Sequence, residues 1–176
     1  MISKLVILSL DISTKSTGWC LFKNGAIFKY GAIKIKDTID IHKRMVILRD
    51  EIEALLLKHK PDVVIVEDVW VGNNPKTAKT LAKFCGIAEE VSCRALGITP
   101  VIIENTKVKK FFKCNKKEIL FSFILDILDL DNDSFSFKEN NDAIDAVAQL
   151  FCYLHLTNKR IVRLDKDYGY LYNFED

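Results

Sequence analysis

The sequence predicts an α/β fold in which helices flank a five-stranded mixed sheet, made of a three-stranded antiparallel meander and two parallel strands. Three observations predict it. The run Val63 to Val66 is β-branched without a polar break, which is typical of a strand buried on both faces. Asn24-Gly25 separates two short apolar segments and is typical of a tight hairpin turn. Segments with helical spacing separate the later strands, which favours parallel pairing through right-handed crossovers.

Start and stop signals delimit the individual elements. Asp40 is the expected N-cap of the first helix, and Pro61 ends that helix. Pro75 indicates the first turn of a second helix, and Gly97 indicates its end. The predicted order is a strand over 5–12, a polar turn over 13–18, strands over 19–22 and 26–35, a helix over 40–59, a strand over 62–67, a helix over 75–95, a strand over 99–103, helices over 106–113 and 116–128, a loop over 129–139 and a helix over 141–156.

Composition indicates one globular domain. The chain has 176 residues, of which 49% are hydrophobic, and its formal net charge is only +2, so overall basicity indicates no partner. We assign the domain to residues 1–156 and treat 157–176 as a C-terminal tail. Neither a signal peptide nor an apolar run long enough to span a membrane is visible. The five cysteines are scattered without a C-x-x-C pair, which argues against a zinc site and favours a reduced, cytoplasmic protein.

Four acidic residues occupy positions where a carboxylate needs a partner. Asp11 and Glu67 each end an apolar strand, and the carboxyl ends of parallel strands meet at one edge of a sheet. Asp142 and Asp145 are three residues apart, so they share a face of the last helix. Buried carboxylates are costly unless a cation meets them, and four hard oxygen ligands suit magnesium or manganese. The pattern predicts one divalent-metal site.

Each acid also has a purely structural interpretation. Asp11 caps the Ser/Thr-rich turn that follows it in one alternative, and Glu67 pairs with a buried lysine or arginine in another. Asp142 is predicted in the first turn of a helix, where any acid is favourable. Asp145 lies past the capping positions, between Ile144 and Ala146, and is harder to explain in this way. The combination of all four acids is more specific than any one of them.

Three segments together resemble the signature segments of RuvC-type Holliday junction resolvases. They are LSLDISTKSTGW at 8–19, IVEDVW at 65–70 and DAIDAV at 142–147, and their order and spacing match across residues 4–156. The resemblance implies an RNase H-like fold, a homodimer and metal-dependent cleavage of branched DNA such as four-way junctions and forks. It also implies that Asp11, Glu67, Asp142 and Asp145 are the catalytic carboxylates, holding two Mg²⁺ ions for which Mn²⁺ can substitute. The products implied are a 5′ phosphate and a 3′ hydroxyl.

The sequence departs from the family pattern at two places. Ile12-Ser13 stands where cellular members usually have Pro-Gly after the first acid, and the tail after Leu156 is unmatched. These departures concern the subfamily and leave the chemistry unchanged. They are compatible with a bacteriophage or other viral member, because such members diverge most.

The resemblance also indicates where DNA would bind. Trp70, three residues after Glu67, is expected to stack on a base near the branch point, and its alternative is a core position under the helix 75–95. The helix itself carries an apolar stripe that fits either a dimer contact or ordinary packing on the sheet. A lysine cluster is expected to contact phosphates, although such clusters are often only a solvated helix face. Its members are Lys107, Lys109, Lys110, Lys113, Lys116 and Lys117.

Three rival hypotheses belong to other classes. The segment 11–17 is similar to the phosphate loop of actin-like ATPases and sugar kinases, but those need two domains and a second, glycine-rich loop. A YqgF-like relative would act on RNA or bind nucleic acid without hydrolysis. A purely structural interaction protein would leave the convergence of four acids without a reason.

Overall fold

The computed structural model describes residues 5–69, 72, 74–130 and 136–157, together with the backbone of 162–163 and 170–171. The strands and helices in chain order are β1 (Val6–Asp11), β2 (Ser16–Lys23), β3 (Ala26–Lys34), α1 (Ile41–His59), β4 (Val63–Glu67), α2 (Pro75–Leu96), β5 (Val101–Ile103), α3 (Asn105–Phe112), α4 (Lys117–Ile127), α5 (Phe137–Leu156), β6 (Val162–Arg163) and β7 (Tyr170–Leu171).

The sheet has the predicted mixed core. Its strands lie in the order β5-β4-β1-β2-β3, with antiparallel pairing from β1 to β3 and parallel pairing of β4 with both β1 and β5. The two short strands of the tail extend this sheet, because β7 pairs with β3 and β6 pairs with β7. The predicted five strands are confirmed, and the tail adds two more at the β3 edge.

Helices cover both faces of the sheet. On one face α3, α4 and α5 pack against alternate strand residues such as Ile7 and Ile65. On the other face α1 and α2 pack against the intervening residues, such as Leu8 and Val64. All four of these strand side chains are fully buried. The run that predicted a strand buried on both faces therefore lies at the centre of a three-layer domain.

The predicted helix signals are confirmed at α1 and α2. The Asp40 carboxylate accepts hydrogen bonds from the backbone N–H groups of His42 at 3.0 Å and Lys43 at 3.3 Å. The Asn74 side chain caps α2 with Pro75 in its first turn, and Gly97 ends α2 in the left-handed conformation with φ of +70°. The apolar stripe of α2 packs against α1 and the sheet, which leaves small residues such as Ala82 and Gly86 exposed.

The two largest errors in the predicted boundaries are the starts of the last helix and of β2, and both lie near the acidic residues. The last helix begins at Phe137 and not at residue 141, because the Phe137 ring packs edge-to-face on Phe121 with centroids 5.3 Å apart. Asp142 therefore lies in the second turn, so its interpretation as a first-turn acid is wrong. The strand β2 begins at Ser16 and not at residue 19, because Thr17 pairs with Ile33 of β3. The predicted turn over 13–18 is correspondingly shorter.

The five cysteines are free, as the sequence suggested. Cys20, Cys85 and Cys152 are buried, and burial raises the pKa of the Cys85 thiol to about 12. These three cysteines are therefore small core residues, because a thiol with a raised pKa is a poor ligand and a poor nucleophile.

Gly18 sets the distance between the last helix and the sheet. It lies opposite Asp11 in the β1–β2 pairing, and the backbone of α5 passes directly over it. A Cβ atom at this position would overlap the backbone carbonyl group of Asp142. Only glycine allows α5 to approach the sheet so closely.

We predict that Gly18→Ala displaces the start of α5 and destabilises the protein by about 3 kcal/mol, because a methyl group must fit into closed space. Gly86→Ala is the matched control, since a Cβ atom there meets nothing within 4 Å in a helix interior. It should stabilise the protein by roughly 0.5–1 kcal/mol. Urea unfolding of both variants tests this, and equal stabilities would contradict the close approach of α5.

Candidate active site

Two of the four acids lie at adjacent strand ends. Asp11 is the last residue of β1 and Glu67 is the last residue of β4. Leu10 pairs with Val66 in the parallel ladder, so the two acids are the next residues along neighbouring strands. Both side chains are partly buried, and the negative charge of Glu67 acts on the Asp11 carboxyl group. The structure thus confirms the predicted meeting of these strand ends.

The other two acids come from α5. The close contact at Gly18 holds the backbone of Asp142 over the β1–β2 pair, at the level of Asp11. Asp145 lies nearly one turn further along, and 15% of its side chain is exposed. It interacts electrostatically with Asp11 and Glu67 as well as with Asp142. Asp145 is thus the acid of α5 that joins the strand-end pair, and Asp142 lies at its edge.

Crowding of these carboxyl groups changes their protonation. Burial, followed by the negative charges of Glu67 and Asp145, raises the pKa of Asp11 well above its usual value. Burial also raises the pKa of Asp145, although the nearby Lys117 opposes the shift. Crowding therefore favours the protonated forms of Asp11 and Asp145 over their ionised forms.

Lys117 neutralises part of the remaining charge. Its Nζ atom donates to Oδ2 of Asp145 at 2.6 Å from the first turn of α4. Burial disfavours its charged form, but the attraction of Asp145, Asp11 and Glu67 outweighs this and raises the pKa of Lys117. The sequence analysis assigned this lysine to DNA phosphates. The structure instead places its ammonium group among the carboxylates.

Asn105 is a site residue that the sequence analysis missed. It begins α3 directly after β5, and its Nδ2 donates to Oε1 of Glu67 at 2.6 Å. The predicted helix began one residue later, which left Asn105 in a loop. Its position in the chain was the available signal. Asn105 lies just beyond the end of β5, and β5 pairs in parallel with β4, the strand that ends at Glu67.

Comparisons with known proteins agree with this geometry. Residues 7–152 match the sequence profile of the family described as Crossover junction endodeoxyribonuclease RuvC. The chain belongs to this family. Among curated RuvC-family relatives, the protein of Syntrophomonas wolfei is 29% identical over 158 residues, covering 85% of this chain and 88% of that protein. The protein of Dictyoglomus turgidum is 25% identical, covering 86% and 97% respectively. Both are named crossover junction endodeoxyribonuclease RuvC.

Solved structures of similar proteins share the fold. T. thermophilus RuvC in complex with a Holliday junction substrate superimposes with a TM-score of 0.73 at 15% identity, covering 88% of this chain and 95% of that one. The yeast mitochondrial Holliday junction resolvase Ydc2 superimposes with a TM-score of 0.62 at 12% identity, covering 90% and 81%. The RNase H-like fold implied by the three signature segments is confirmed.

The carboxyl groups fit a divalent cation, although they do not yet form a ligand cage. RuvC-family endonucleases depend on metal ions. Within the described ranges, no group of three or more His, Cys, Asp or Glu side chains is arranged to hold a metal. Lys117 supplies positive charge at Asp145. The donors are hard oxygens crowded enough to raise a pKa, which is the chemistry that Mg²⁺ or Mn²⁺ satisfies.

The structure divides the remaining DNA-binding candidates. Lys107 pairs with Glu104 at 3.0 Å. Lys113 and Lys116 line a groove of about 360 Å³ between α3 and α4, together with apolar side chains such as Phe123. Lys109 and Lys110 are exposed on α3. Trp70 lies outside the described residues, so its stacking role stays a prediction. In the described part of the chain, no helix is long and apolar enough to cross a membrane.

We predict that Lys117→Met makes the protein more responsive to magnesium. Without metal, the variant should melt at a lower temperature than the wild type, because Asp145 loses its cationic partner. Added Mg²⁺ should then raise its melting temperature by more than it raises that of the wild type. Differential scanning calorimetry measures both shifts. Lys116→Met, next to it but without an ion pair to the acids, should behave like the wild type, and equal Mg²⁺ responses of all three proteins would contradict the prediction.

Proposed function

We propose that this chain is a metal-dependent, structure-selective endonuclease that resolves Holliday junctions or other branched DNA by paired phosphodiester nicks. One observation supports it above the others: Asp11, Glu67 and Asp145 meet at one end of the sheet in a chain of the RuvC family. The curated relatives are named as crossover junction endodeoxyribonucleases, and a matched structure contains a Holliday junction. These names favour junction cleavage over the alternative of a YqgF-like, RNA-directed protein.

The four acids would hold two Mg²⁺ ions, with Mn²⁺ as a substitute. When bound, such ions supply Lewis-acid stabilisation of the phosphate and lower the pKa of the attacking water. Asp11 is the best candidate for a shared ligand, because it interacts with both Glu67 and Asp145. A bound cation would favour the ionised form of Asp11, against the effects that raise its pKa. Hydrolysis adds water across the bond between phosphorus and the 3′ oxygen, which leaves a 5′ phosphate and a 3′ hydroxyl.

Lys117 is suited to a role both before and after divalent cations bind to the acids. In the structure its ammonium group compensates Asp145. Its side chain is 57% exposed, so it is free to turn towards a DNA phosphate once divalent cations compensate the acids. The long, flexible lysine side chain allows this exchange at little steric cost.

The DNA is proposed to cross the face that carries α3 and α4. Lys109, Lys110, Lys113 and Lys116 are exposed there, and within the described residues none of them forms an ion pair. The groove beside Lys113 shares Cys114, Asn115 and Leu120 with a small cavity at the acids. A strand held by these lysines would therefore run directly to the candidate active site. Trp70 would stack on a base near the branch point.

A homodimer is proposed as the working assembly. A four-way junction has two-fold symmetry, and a two-fold dimer would present one active site to each of two opposed strands. Paired nicks need two such sites. The cytoplasm of a bacterium or of an infected host cell is the proposed location.

We predict that Asp11→Asn, Glu67→Gln, Asp142→Asn and Asp145→Asn each lower junction cleavage at least a hundredfold while binding survives. Each substitution removes one negative charge from the proposed ligand set and keeps the side-chain shape. A labelled synthetic four-way junction, with fork and linear DNA beside it, measures cleavage in Mg²⁺. Asp50→Asn, an exposed acid of α1 paired with Arg49, is the matched control. Full activity of the Asp11 variant would remove that residue from the mechanism, and an inactive wild type would refute the proposed function.

We predict that the double variant Lys113→Ala/Lys116→Ala weakens the salt dependence of junction binding. Each lost phosphate contact should reduce the slope of log K against log salt by about 1. Fluorescence anisotropy with the Asp11→Asn background, at several salt concentrations, gives that slope without cleavage. Lys43→Ala/Lys58→Ala removes two exposed lysines from α1 on the opposite face and should leave the slope unchanged. Identical slopes for the two double variants would place the DNA elsewhere.

A further inference from the structure

A small, partly open cavity lies beside the acids. Its volume is about 30 Å³, and it lies between the end of β4, the starts of α3 and α4 and the middle of α5. This is enough space for one water molecule. The lining residues that matter here are Glu67, Asn105, Lys117, Asp145 and Gln149. Three of these five are charged, so the cavity is polar on the side that faces the candidate active site.

Gln149 is the unexplained member of this set. It lies four residues after Asp145, one helical turn along the same face of α5, and only 1% of it is exposed. Among the described residues, neither its Oε1 nor its Nε2 atom has a hydrogen-bond partner. Burying an amide without partners costs free energy, and native proteins usually satisfy such groups with protein atoms or ordered water. An apolar residue of the same length would fill this position at lower cost, so packing alone does not account for a glutamine.

Asn105 faces the same cavity from the opposite side. Its Nδ2 atom donates to Oε1 of Glu67 at 2.6 Å, a short bond typical of a charged acceptor. The amide carries no charge, unlike Lys117 at the neighbouring Asp145. It therefore orients Glu67 without neutralising it, and the full negative charge of the carboxylate remains available to a cation. Carboxylates that bind metals are commonly hydrogen-bonded in this way, which fixes their orientation towards the metal.

We propose that Asn105 and Gln149 are positioning residues and that the cavity between them binds one ordered water molecule. The water bridges the buried amide of Gln149 to the polar groups at Glu67 and Asp145. Asn105 fixes one oxygen of Glu67 so that the other oxygen faces Asp11. Both amides thus act on the acids from the side of this cavity. The inference rests on the proposed function only in naming the acids as metal ligands.

Two substitutions of similar size test the inference. Gln149→Met and Asn105→Leu remove the amides and keep most of the volume. Each should weaken Mg²⁺ binding, measured by isothermal titration calorimetry without DNA, by about tenfold, as expected when the outer partners of metal ligands are lost. The KM for the junction should stay within twofold, because Gln149 is buried and the Asn105 amide is bonded to Glu67. Asn140→Leu removes a half-buried amide of α5 that donates to the backbone oxygen of Ser136, and it should leave Mg²⁺ affinity unchanged.

The melting temperature and the Mg²⁺ affinity together distinguish a positioning role of Gln149 from a packing role. A purely structural Gln149 predicts that Gln149→Met raises the melting temperature and leaves Mg²⁺ affinity unchanged, and this result would overturn the inference. If Asn105→Leu does not fold, Asn105→Ala gives the same comparison with less steric change. The double variant should lose less affinity than the sum of the single losses, since both amides act on one cluster. A metal-free crystal structure without density for a water in the cavity would also overturn the proposal.

The calorimetry keeps this inference distinct from the proposed function. A wild-type protein that binds Mg²⁺ but leaves junctions intact, with weaker binding in both variants, would refute the endonuclease and support the positioning roles. A wild type that cleaves junctions, with variants of unchanged Mg²⁺ affinity, would support the endonuclease and refute the positioning roles.

Discussion

Repulsion among carboxyl groups at one end of the sheet is the constraint on which the rest of the site depends. Three acids from β1, β4 and α5 interact there, and each added negative charge makes the next one harder to ionise. The protein compensates part of this charge with the ammonium group of Lys117 and orients Glu67 with the amide of Asn105. Both contacts are reversible, because a lysine side chain can turn and a hydrogen bond to one carboxylate oxygen leaves the other oxygen free. The carboxyl groups therefore stay available to a divalent cation.

Much of the fold was predictable because its causes are local. Period-two burial, an Asn-Gly turn, an Asp N-cap and a Gly C-cap each act within a few residues, and the structure confirms them. The meeting of Asp11 and Glu67 was predictable for a related reason, since parallel strands bring their carboxyl ends together. The failures have long-range causes. The start of α5 depends on a ring contact between Phe137 and Phe121, sixteen residues earlier in the chain.

The polar residues around the acids could not be placed together from the sequence. Asn105 and Gln149 sit 44 positions apart and share a cavity only after α3 and α5 are packed. No spacing rule relates them. The same holds for the lysine cluster, because its composition indicates positive charge but not the group that each side chain contacts. Packing turns Lys117 to a carboxylate, Lys107 to Glu104, and Lys113 and Lys116 to the groove between α3 and α4.

The position of α5 has a consequence for when activity can arise. Two of the four acids belong to this helix, which is also the element that completes the core on its face of the sheet. During synthesis, the meander and β4 are complete long before Asp142 and Asp145 leave the ribosome. A growing polypeptide therefore carries only half of the proposed ligand set, and the proposed catalytic centre cannot assemble on it. Latency during translation is thus built into the order of the elements along the chain.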